Sequence, residues 1–224
     1  MTSSPLPPNV HISSHPCLVA KLSQLRSKST TSRETTQLIH DISLILGTEA
    51  LSSLPLVESE TDETPLGFSY TYQTIATNEL TLIPILRSGL AMVPALQSLL
   101  PNPISTHHLG LYREKATLQP VEYYNNLPQS QSSSTVHTAI LCDPVIATGG
   151  TAVAAIQTLR EWGVRKVIMI AVIGAAEGVR RAIEEWSEGV DIWIGVVDGE
   201  LTDKGMIKPG VGDVGDRLFG TIGK

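Results

Sequence analysis

A buried strand that runs directly into a glycine-rich turn and then a helix lies at residues 138–163 and restricts the folds open to this chain. Residues 138–141 are apolar or β-branched without helical spacing, which predicts a strand. Small and apolar residues then recur at helical spacing between 152 and 159, and Gly163 stands where a helix C-cap is expected. Residues 148–151 are therefore predicted to lie at a strand-to-helix turn.

The alternation of strand and helix patterns continues through most of the chain. It predicts an α/β fold with a mainly parallel central sheet flanked by helices. Because no linker or repeat divides the chain, we expect a single domain over residues 16–224, preceded by a Ser- and Pro-rich, poorly ordered arm at residues 1–15. The N-terminal helices and residues 201–209 are expected to form a small hood over the sheet. The predicted strands lie at residues 80–86, 106–111, 138–141, 167–173 and 190–197.

The composition favours a cytoplasmic protein with a full core. Of the 224 residues, 42% are hydrophobic, which is enough to bury a core in one domain. The formal charge of −6 predicts no nucleic-acid partner, because nucleic-acid binders normally present a basic face. Cys17 and Cys142 lie far apart in the sequence and are interpreted as reduced thiols. We find no signal peptide and no apolar run long enough to cross a membrane, so no membrane attachment is expected.

The turn after the central strand has the chemistry of an anion site. Asp143 follows the strand closely, at the carboxyl edge where open α/β sheets bind ligands. Backbone N–H groups of residues 148–151 and the positive end of the helix dipole can converge on a phosphate, while Thr148 and Thr151 supply hydroxyls. The turn alone is equally compatible with a tight connection that binds nothing. The acid before it favours a site for a phosphate monoester beside a sugar.

Residues 143–151, D-P-V-I-A-T-G-G-T, resemble the phosphoribosyl pyrophosphate signature of type I phosphoribosyltransferases, in the form found in uracil phosphoribosyltransferases. Two positions depart from the family pattern, because Ser88 replaces an Ala and no Pro precedes Glu177. Residues 51–60 match no part of the family that we identify. Further matching blocks follow in the family's order at residues 63–67, 85–90, 110–114, 120–125 and 210–221.

The resemblance implies both the fold and the reaction. The fold is expected to be that of type I phosphoribosyltransferases, with a small hood and a flexible β-arm at residues 110–125. The reaction is expected to transfer the phosphoribosyl group from phosphoribosyl pyrophosphate to uracil, giving uridine monophosphate (UMP) and pyrophosphate. Mg²⁺ is expected to bind mainly through the pyrophosphate and ribose of the substrate, with no dedicated metal ligands in the protein. The resemblance also implies a homodimer or higher homo-oligomer and makes GTP a candidate effector.

The resemblance assigns residues to three parts of the site. Asp143 is expected to bond ribose hydroxyls, and Arg87 and Arg113 are expected to clamp the pyrophosphate as catalytic residues. Two alternatives stay open: Arg87 as a structural ion-pair partner and Arg113 as a solvated surface residue. The donor is expected to contact Asp143, Pro144, Val145, Ile146, Ala147, Thr148, Gly149, Gly150, Thr151 and Asp213, and uracil is expected to contact Ile207, Gly212, Asp213 and Val214.

Two other functions are compatible with the same fold. A transferase for orotate or a purine would share the donor site but not the tail at residues 210–221. A non-catalytic regulator that binds nucleotides or RNA is disfavoured by the acidic net charge and by the retained Asp143, Arg87 and Arg113. Turnover measured with a panel of nucleobases distinguishes these hypotheses.

Overall fold

A parallel sheet forms the centre of the computed structural model, which describes residues 5–114, 120–128 and 136–221. The strands of the described residues are, in chain order, β1 (Val10–Ile12), β2 (Val57–Glu63), β3 (Ser69–Thr74), β4 (Leu80–Leu86), β5 (Ser105–Thr106), β6 (Leu109–Arg113), β7 (Pro120–Asn125), β8 (Thr138–Cys142), β9 (Val145–Ile146), β10 (Lys166–Ala175), β11 (Val190–Asp198), β12 (Glu200–Leu201) and β13 (Ile207–Lys208). The helices are α1 (Pro16–Arg26), α2 (Ser32–Leu51), α3 (Val93–Ser98), α4 (Gly150–Trp162), α5 (Ala176–Glu184) and α6 (Val214–Phe219). Short 3₁₀ turns cover Thr77–Glu79 and Ser88–Met92.

Nine strands of the described residues share one sheet, whose main path runs β1-β11-β10-β8-β4-β6-β7. Every pairing along this path is parallel except that between β6 and β7, and the short strands β5 and β9 pair in parallel with β4 and β10. The predicted α/β fold with a mainly parallel sheet is therefore confirmed. The carboxyl ends of β4 and β8 lie side by side, with Pro84 opposite Cys142.

Helices cover both faces of the sheet, and alternate residues of the central strands reach opposite layers. In β10, Ile168 and Ile170 pack into the core shared with α1 and α2. The neighbouring residues Val167 and Met169 pack instead into the core shared with α4 and α5. Because both faces are covered, the strand is apolar or glycine from Val167 to Ala175 and shows no polar alternation.

The N-terminal helices build one of these two layers. Thr31 and Glu34 cap the start of α2 reciprocally, since the side chain of each accepts a hydrogen bond from the backbone N–H of the other. Leu38, Ile42 and Leu46 of α2 are then buried in the core beside the sheet. Helix α2 thus covers a face of the sheet, whereas we expected the N-terminal helices in the hood. Strands β12 and β13 form a separate antiparallel hairpin.

Part of the arm that was predicted to be poorly ordered at residues 1–15 belongs to the sheet in the structure, and residues 1–4 lie outside the described residues. Residues 10–12 form β1, which pairs in parallel with β11. The Asn9 side chain donates to the Val190 carbonyl at 2.8 Å, and the His11 ring stacks on Trp193 with centroids 4.2 Å apart. The reason is that β11 would otherwise be an edge strand, and its free N–H and C=O groups accept another strand whatever the Ser and Pro content nearby.

Residues 51–60, which the family pattern did not explain, lead into a hairpin that stands apart from the main sheet. Strands β2 and β3 pair only with each other, and the residues of β2 are all exposed. The turn between them is the E-T-P-L-G segment, in which Gly67 has φ +81° and its N–H bonds the Thr64 carbonyl at 2.9 Å. The block that resembles the family is therefore a hairpin turn.

The predicted β-arm corresponds to β6 and β7, which pair antiparallel with their register shifted between Gly110 and Leu111. Residues 115–119 of this arm lie outside the described residues. None of the helices formed by the described residues combines the length and apolar character needed to cross a bilayer.

Candidate active site

The turn between β9 and α4 presents an open helix N-terminus. Gly149 is the N-cap of α4 with φ +79°, and no side chain caps it. The first backbone N–H groups of the helix are therefore directed at the loop without a side-chain acceptor, which suits an anion. A cavity of about 80 Å³ is lined by Val145, Ile146, Ala147, Thr148, Gly149, Thr151 and Ala152. We call residues 147–151 the phosphate loop.

Helix α5 supports the phosphate loop from behind through glycine-to-backbone contacts. A β-carbon on Gly178 would lie 2.0 Å from the Ala147 carbonyl oxygen, and one on Gly149 would lie 2.5 Å from the Gly178 carbonyl oxygen. These distances are too short for any side chain at either position. The loop conformation thus depends on Gly178, which lies 29 residues beyond Gly149 in the sequence.

Asp143 lies buried at the carboxyl end of β8, with only 8% of its surface exposed. The Ser88 hydroxyl donates a hydrogen bond to its Oδ1 at 3.0 Å. Burial raises the pKa of the Asp143 carboxyl to about 6, while hydrogen bonds from Ser88 and the Val145 backbone act in the opposite direction. The carboxylate is thus held in place for hydrogen bonding and is easier to protonate than a surface Asp.

The loop that follows β4, residues 87–90, packs closely against the end of β8. A β-carbon on Gly89 would lie 2.5 Å from the Cys142 carbonyl oxygen. The neighbouring Arg87 side chain is 54% exposed, and its Nη2 lies 3.8 Å from Asp216 Oδ1. Its guanidinium also lies 5.4 Å from the centroid of the Phe219 ring, within the range of a cation–π contact. The loop therefore joins the buried acid to helix α6.

The segment that precedes α6 exposes backbone while its larger side chains enter the core. Ile207 and Val214 are buried, with 9% and 3% exposure. Gly212 has φ +75° and is exposed, and the Asp213 Oδ1 accepts the Asp216 N–H at 3.0 Å as the N-cap of α6. At Gly212 the main chain itself thus lies at the surface, and we call residues 207–213 the tail loop.

The structure brings most of the predicted site residues together. The side chains of Asp213 and Arg87 both lie beside Gly215. A β-carbon added to Gly215 would lie 3.3 Å from Asp213 Oδ1 and 3.8 Å from Arg87 Nη2. Asp143 is connected to the loop of Arg87 through its hydrogen bond with Ser88. Arg113 ends β6, where its backbone pairs with Pro120. The Arg113 side chain lies outside the described part of the structure, so its predicted clamp role stays a prediction.

Sequence reasoning missed several residues that position the site. Asp216 and Phe219 contact Arg87, which lies 129 and 132 residues before them in the sequence. Nothing in the local sequence around Asp216 or Phe219 indicated this partner. Ser88 was visible only as a departure from the family's Ala. A larger cavity of about 540 Å³ between α1 and α2 contains none of the predicted site residues.

The oxygen ligands in this region fit a magnesium ion that takes most of its ligands from a substrate. Within the described ranges, no group of three or more His, Cys, Asp and Glu side chains could hold a metal ion by itself. Asp143 and Asp213 supply carboxylate oxygens, the hard ligands that Mg²⁺ accepts, and Mg²⁺ commonly uses one or two carboxylates together with substrate phosphates. The donor set is therefore compatible with the ion but not sufficient for a cage.

Comparison with known proteins assigns the family. The uracil phosphoribosyltransferase family model matches residues 12–221. A uracil phosphoribosyltransferase of Roseiflexus castenholzii is 44% identical over 95% of this chain and 98% of its own length, and one of Desulfitobacterium hafniense is 40% identical over the same shares.

Solved structures agree in fold. The AQ2163 protein from Aquifex aeolicus superimposes with a TM-score of 0.85 at 31% identity, over 94% of this chain and 97% of that one. Adenine phosphoribosyltransferase from Trypanosoma brucei shares the fold with a TM-score of 0.51 at 14% identity, over 88% and 87% of the two chains. The fold is that of the type I phosphoribosyltransferases, and the chain belongs to the uracil phosphoribosyltransferase family.

Proposed function

We propose that this protein transfers the phosphoribosyl group of phosphoribosyl pyrophosphate to uracil and releases UMP and pyrophosphate. The observation that carries this proposal is the convergence of three segments at the carboxyl edge of the sheet. The phosphate loop follows Asp143, the loop of Arg87 contacts Asp143 through Ser88, and the same loop reaches the tail through Asp216. A donor with phosphates at both ends and a planar base acceptor fit this arrangement.

The donor's two charged ends are assigned to different backbone and side-chain groups. The N–H groups and hydroxyls of residues 147–151 bind the 5′-phosphate, because the N-terminus of α4 offers an anion site without a side-chain cap. Asp143 accepts hydrogen bonds from the ribose hydroxyls. Arg87 binds the pyrophosphate, and its half-exposed guanidinium is accessible for this role. Arg113 is assigned as its partner in the clamp.

Catalysis on this assignment is mainly electrostatic. As the bond between C1 of the ribose and the pyrophosphate oxygen breaks, positive charge develops on the ribose and negative charge on the leaving group. Uracil forms the new bond to C1 through its ring nitrogen, whose proton passes to solvent, and pyrophosphate leaves with the electron pair of the broken C1–O bond. Arg87 stabilises the developing negative charge, whereas the ionised Asp143 stabilises the charge on the ribose side. Mg²⁺ would be held mainly by the substrate, with Asp143 and Asp213 as the protein carboxylates available to it, and would supply further neutralisation of the pyrophosphate charge.

The tail loop is assigned to the base. Uracil presents two carbonyl acceptors that flank an N–H donor, and backbone groups can match that pattern. Gly212 has a positive φ that side-chain-bearing residues adopt at a cost, so main-chain groups there can approach a planar ligand closely. Ile207, Asp213 and Val214 complete the predicted contacts.

The β2–β3 hairpin supports the proposal that the protein forms a homodimer or higher homo-oligomer. The hairpin carries Leu66 at 83% exposure and Phe68 at 68%, and an isolated two-stranded hairpin is only marginally stable in water. A second copy of the chain that covers these side chains would bury the apolar surface and stabilise the hairpin. Light scattering on Leu66→Ser/Phe68→Ser should report a smaller mass than wild type, with Val19→Ser as the control for an exposed apolar residue on α1. An unchanged mass would remove the hairpin from the interface.

The decisive experiment for the reaction is a base panel. Purified protein is incubated with phosphoribosyl pyrophosphate, Mg²⁺ and one nucleobase at a time, and the nucleotide formed is measured. UMP as the main product supports the proposal, whereas turnover of orotate or a purine, or of no base, contradicts it. The same assay with added GTP tests whether GTP is an effector, and omission of Mg²⁺ tests whether the reaction needs the metal.

We assign the protein to the cytoplasm, where both substrates of nucleotide synthesis are available.

A further inference from the structure

Both polar backbone groups of Gly210 are bound by one ion pair, formed by Arg26 at the end of α1 and Asp198 at the end of β11. The Gly210 N–H donates to Asp198 Oδ2 at 3.0 Å, and Arg26 Nη1 donates to the Gly210 carbonyl at 2.9 Å. The ion pair itself has two nearly parallel hydrogen bonds, of 2.8 Å and 2.7 Å, between the guanidinium and the two carboxylate oxygens. The three groups thus form a closed ring of hydrogen bonds.

We propose that Arg26 and Asp198 are positioning residues that fix the tail loop for binding of the base. This inference rests on the proposed transfer to uracil and identifies residues that no predicted contact includes. Neither side chain is assigned to substrate, so both act through the Gly210 backbone. Gly210 lies two residues before Gly212, where the predicted uracil contacts resume after Ile207, and a change in its peptide orientation is transmitted directly to that position.

The turn that the ring holds is one that glycine can adopt and that a residue with a side chain cannot. Gly210 has φ +65°, and a β-carbon there would lie 2.1 Å from the Ile207 carbonyl oxygen. The loop therefore turns back on itself within four residues, and outside bonds are needed to select this arrangement over others. Arg217 supplies a second bond, from its Nη1 to the Val211 carbonyl at 2.7 Å, but it also bonds the end of α1 at Leu25. Arg217 thus joins the end of α1 to the tail loop at Val211, whereas the Arg26–Asp198 pair binds both polar backbone groups of Gly210.

The environment of the pair makes its geometry stringent. Asp198 is 8% exposed and Arg26 is 25% exposed, so water replaces a lost bond poorly. Hydrogen bonding to Arg26 holds the pKa of the Asp198 carboxyl below its usual range, in agreement with a carboxylate that stays ionised. A Lys at position 26 keeps the charge but cannot form the planar two-bond fork and bond Gly210 at the same time.

The test compares Arg26→Lys and Asp198→Asn with wild type and with Glu200→Gln. Glu200 forms an exposed ion pair with Lys208 at the start of the tail loop, and no hydrogen bond among the described residues joins it to Gly210, so its variant controls for the loss of an ion pair that does not hold Gly210. The KM for uracil is expected to rise about tenfold or more in both variants, which corresponds to the loss of a charge-assisted hydrogen bond. Binding of phosphoribosyl pyrophosphate, measured by calorimetry, should fall by a smaller factor than binding of uracil, because the tail loop supplies Asp213 alone among the predicted donor contacts but most of the predicted uracil contacts.

Hydrogen exchange of the Gly210 amide gives a readout that needs no turnover. Exchange should accelerate in Asp198→Asn and stay as in wild type in Glu200→Gln. An unchanged uracil KM, or an equal loss of donor and uracil binding, would overturn the positioning role and leave only a structural ion pair. If wild type makes no UMP, the proposed function fails, and the exchange result then shows separately whether the ring holds the loop. Arg26→Lys keeps the test usable if Asp198→Asn does not fold.

Discussion

The Ser88 hydroxyl donates a hydrogen bond to Asp143 at 3.0 Å, and this bond ties the loop of Arg87 to the buried acid. It favours the ionised form of Asp143, whose pKa burial raises to about 6. In Ser88→Ala the pKa of Asp143 should therefore rise further, and the acid limb of the kcat/KM profile for the donor should move to higher pH. Loss of activity should be greatest at mildly acidic pH and small at alkaline pH.

The control for Ser88→Ala is Ser98→Ala, which removes a partly buried hydroxyl that bonds only the Ala95 carbonyl within α3. Its pH profile should match wild type. If the profiles of Ser88→Ala and wild type coincide, the hydrogen bond has no influence on the ionisation that matters for turnover.

Asp143→Asn should separate stability from activity. A carboxyl whose folded pKa is raised stabilises the protein fully at pH values below its unfolded pKa, and this contribution is lost as pH rises through about 6. The amide cannot ionise, so the variant should unfold at the same or higher temperature than wild type at alkaline pH. Turnover should fall about ten- to a hundredfold, because a charge-assisted bond to the ribose is lost. Calorimetric melting and steady-state rates measure both, and wild-type turnover in the folded variant would remove Asp143 from the site.

Arg87→Lys should weaken binding of phosphoribosyl pyrophosphate although it keeps the positive charge. A Lys ammonium cannot form the two-bond fork with the pyrophosphate, and a loss of about tenfold or more in donor affinity is expected. Arg33→Lys on the exposed surface of α2 is the matched control. A variant with a lower melting temperature but unchanged donor affinity would support the alternative that Arg87 is a structural partner of Asp216.

Gly178→Ala should distort the phosphate loop, although position 178 lies outside that loop in the sequence. The added methyl group would lie 2.0 Å from the Ala147 carbonyl oxygen, so the loop or α5 must shift. We expect both a lower melting temperature and a loss of donor affinity of about tenfold. Gly199→Ala, where a β-carbon meets nothing within 4 Å, is the control. Wild-type donor affinity in Gly178→Ala would mean that the loop accommodates the shift.

Gly212→Val should reduce uracil turnover more than donor binding. A branched residue at φ +75° is strained by about 1–2 kcal/mol, and its side chain would project from the surface proposed to read the base. Gly220→Val controls for the strain, because Gly220 has φ +64° with open space around it at the end of α6. Equal effects of the two substitutions on uracil turnover would show that strain alone, and not the base contact, explains the loss.

Periodicity predicted the elements that have an apolar face. Strand β4 was expected at residues 80–86 and is found there, and α4 ends with Gly163 as its C-cap, as its position indicated. Strand β2 was not predicted, because its sequence V-E-S-E-T-D-E is exposed on both sides and therefore carries no alternation. Strand β1 was missed because three residues give no pattern and their pairing depends on the distant β11.

The sequence predicted only those parts of the site whose residues are close together in one local motif. The phosphate loop and Asp143 are contiguous in sequence, so their proximity was foreseeable. The contacts of Ser88 with Asp143 and of Arg87 with Asp216 arise from tertiary packing and leave no local signature.

Truncation after Pro209 would remove the tail together with buried Val211, Val214 and Leu218 of the core. That experiment therefore cannot isolate the base contacts, and point substitutions are required.

The hydrogen bond from Arg26 to Gly210 joins positions 184 residues apart, so the first helix and the last loop of the chain complete each other. A substitution in α1 can therefore alter the proposed base recognition although neither the tail loop nor the phosphate loop is changed. Natural variation in this helix is then a source of variation in uracil affinity, at a position that a comparison of binding loops alone would overlook.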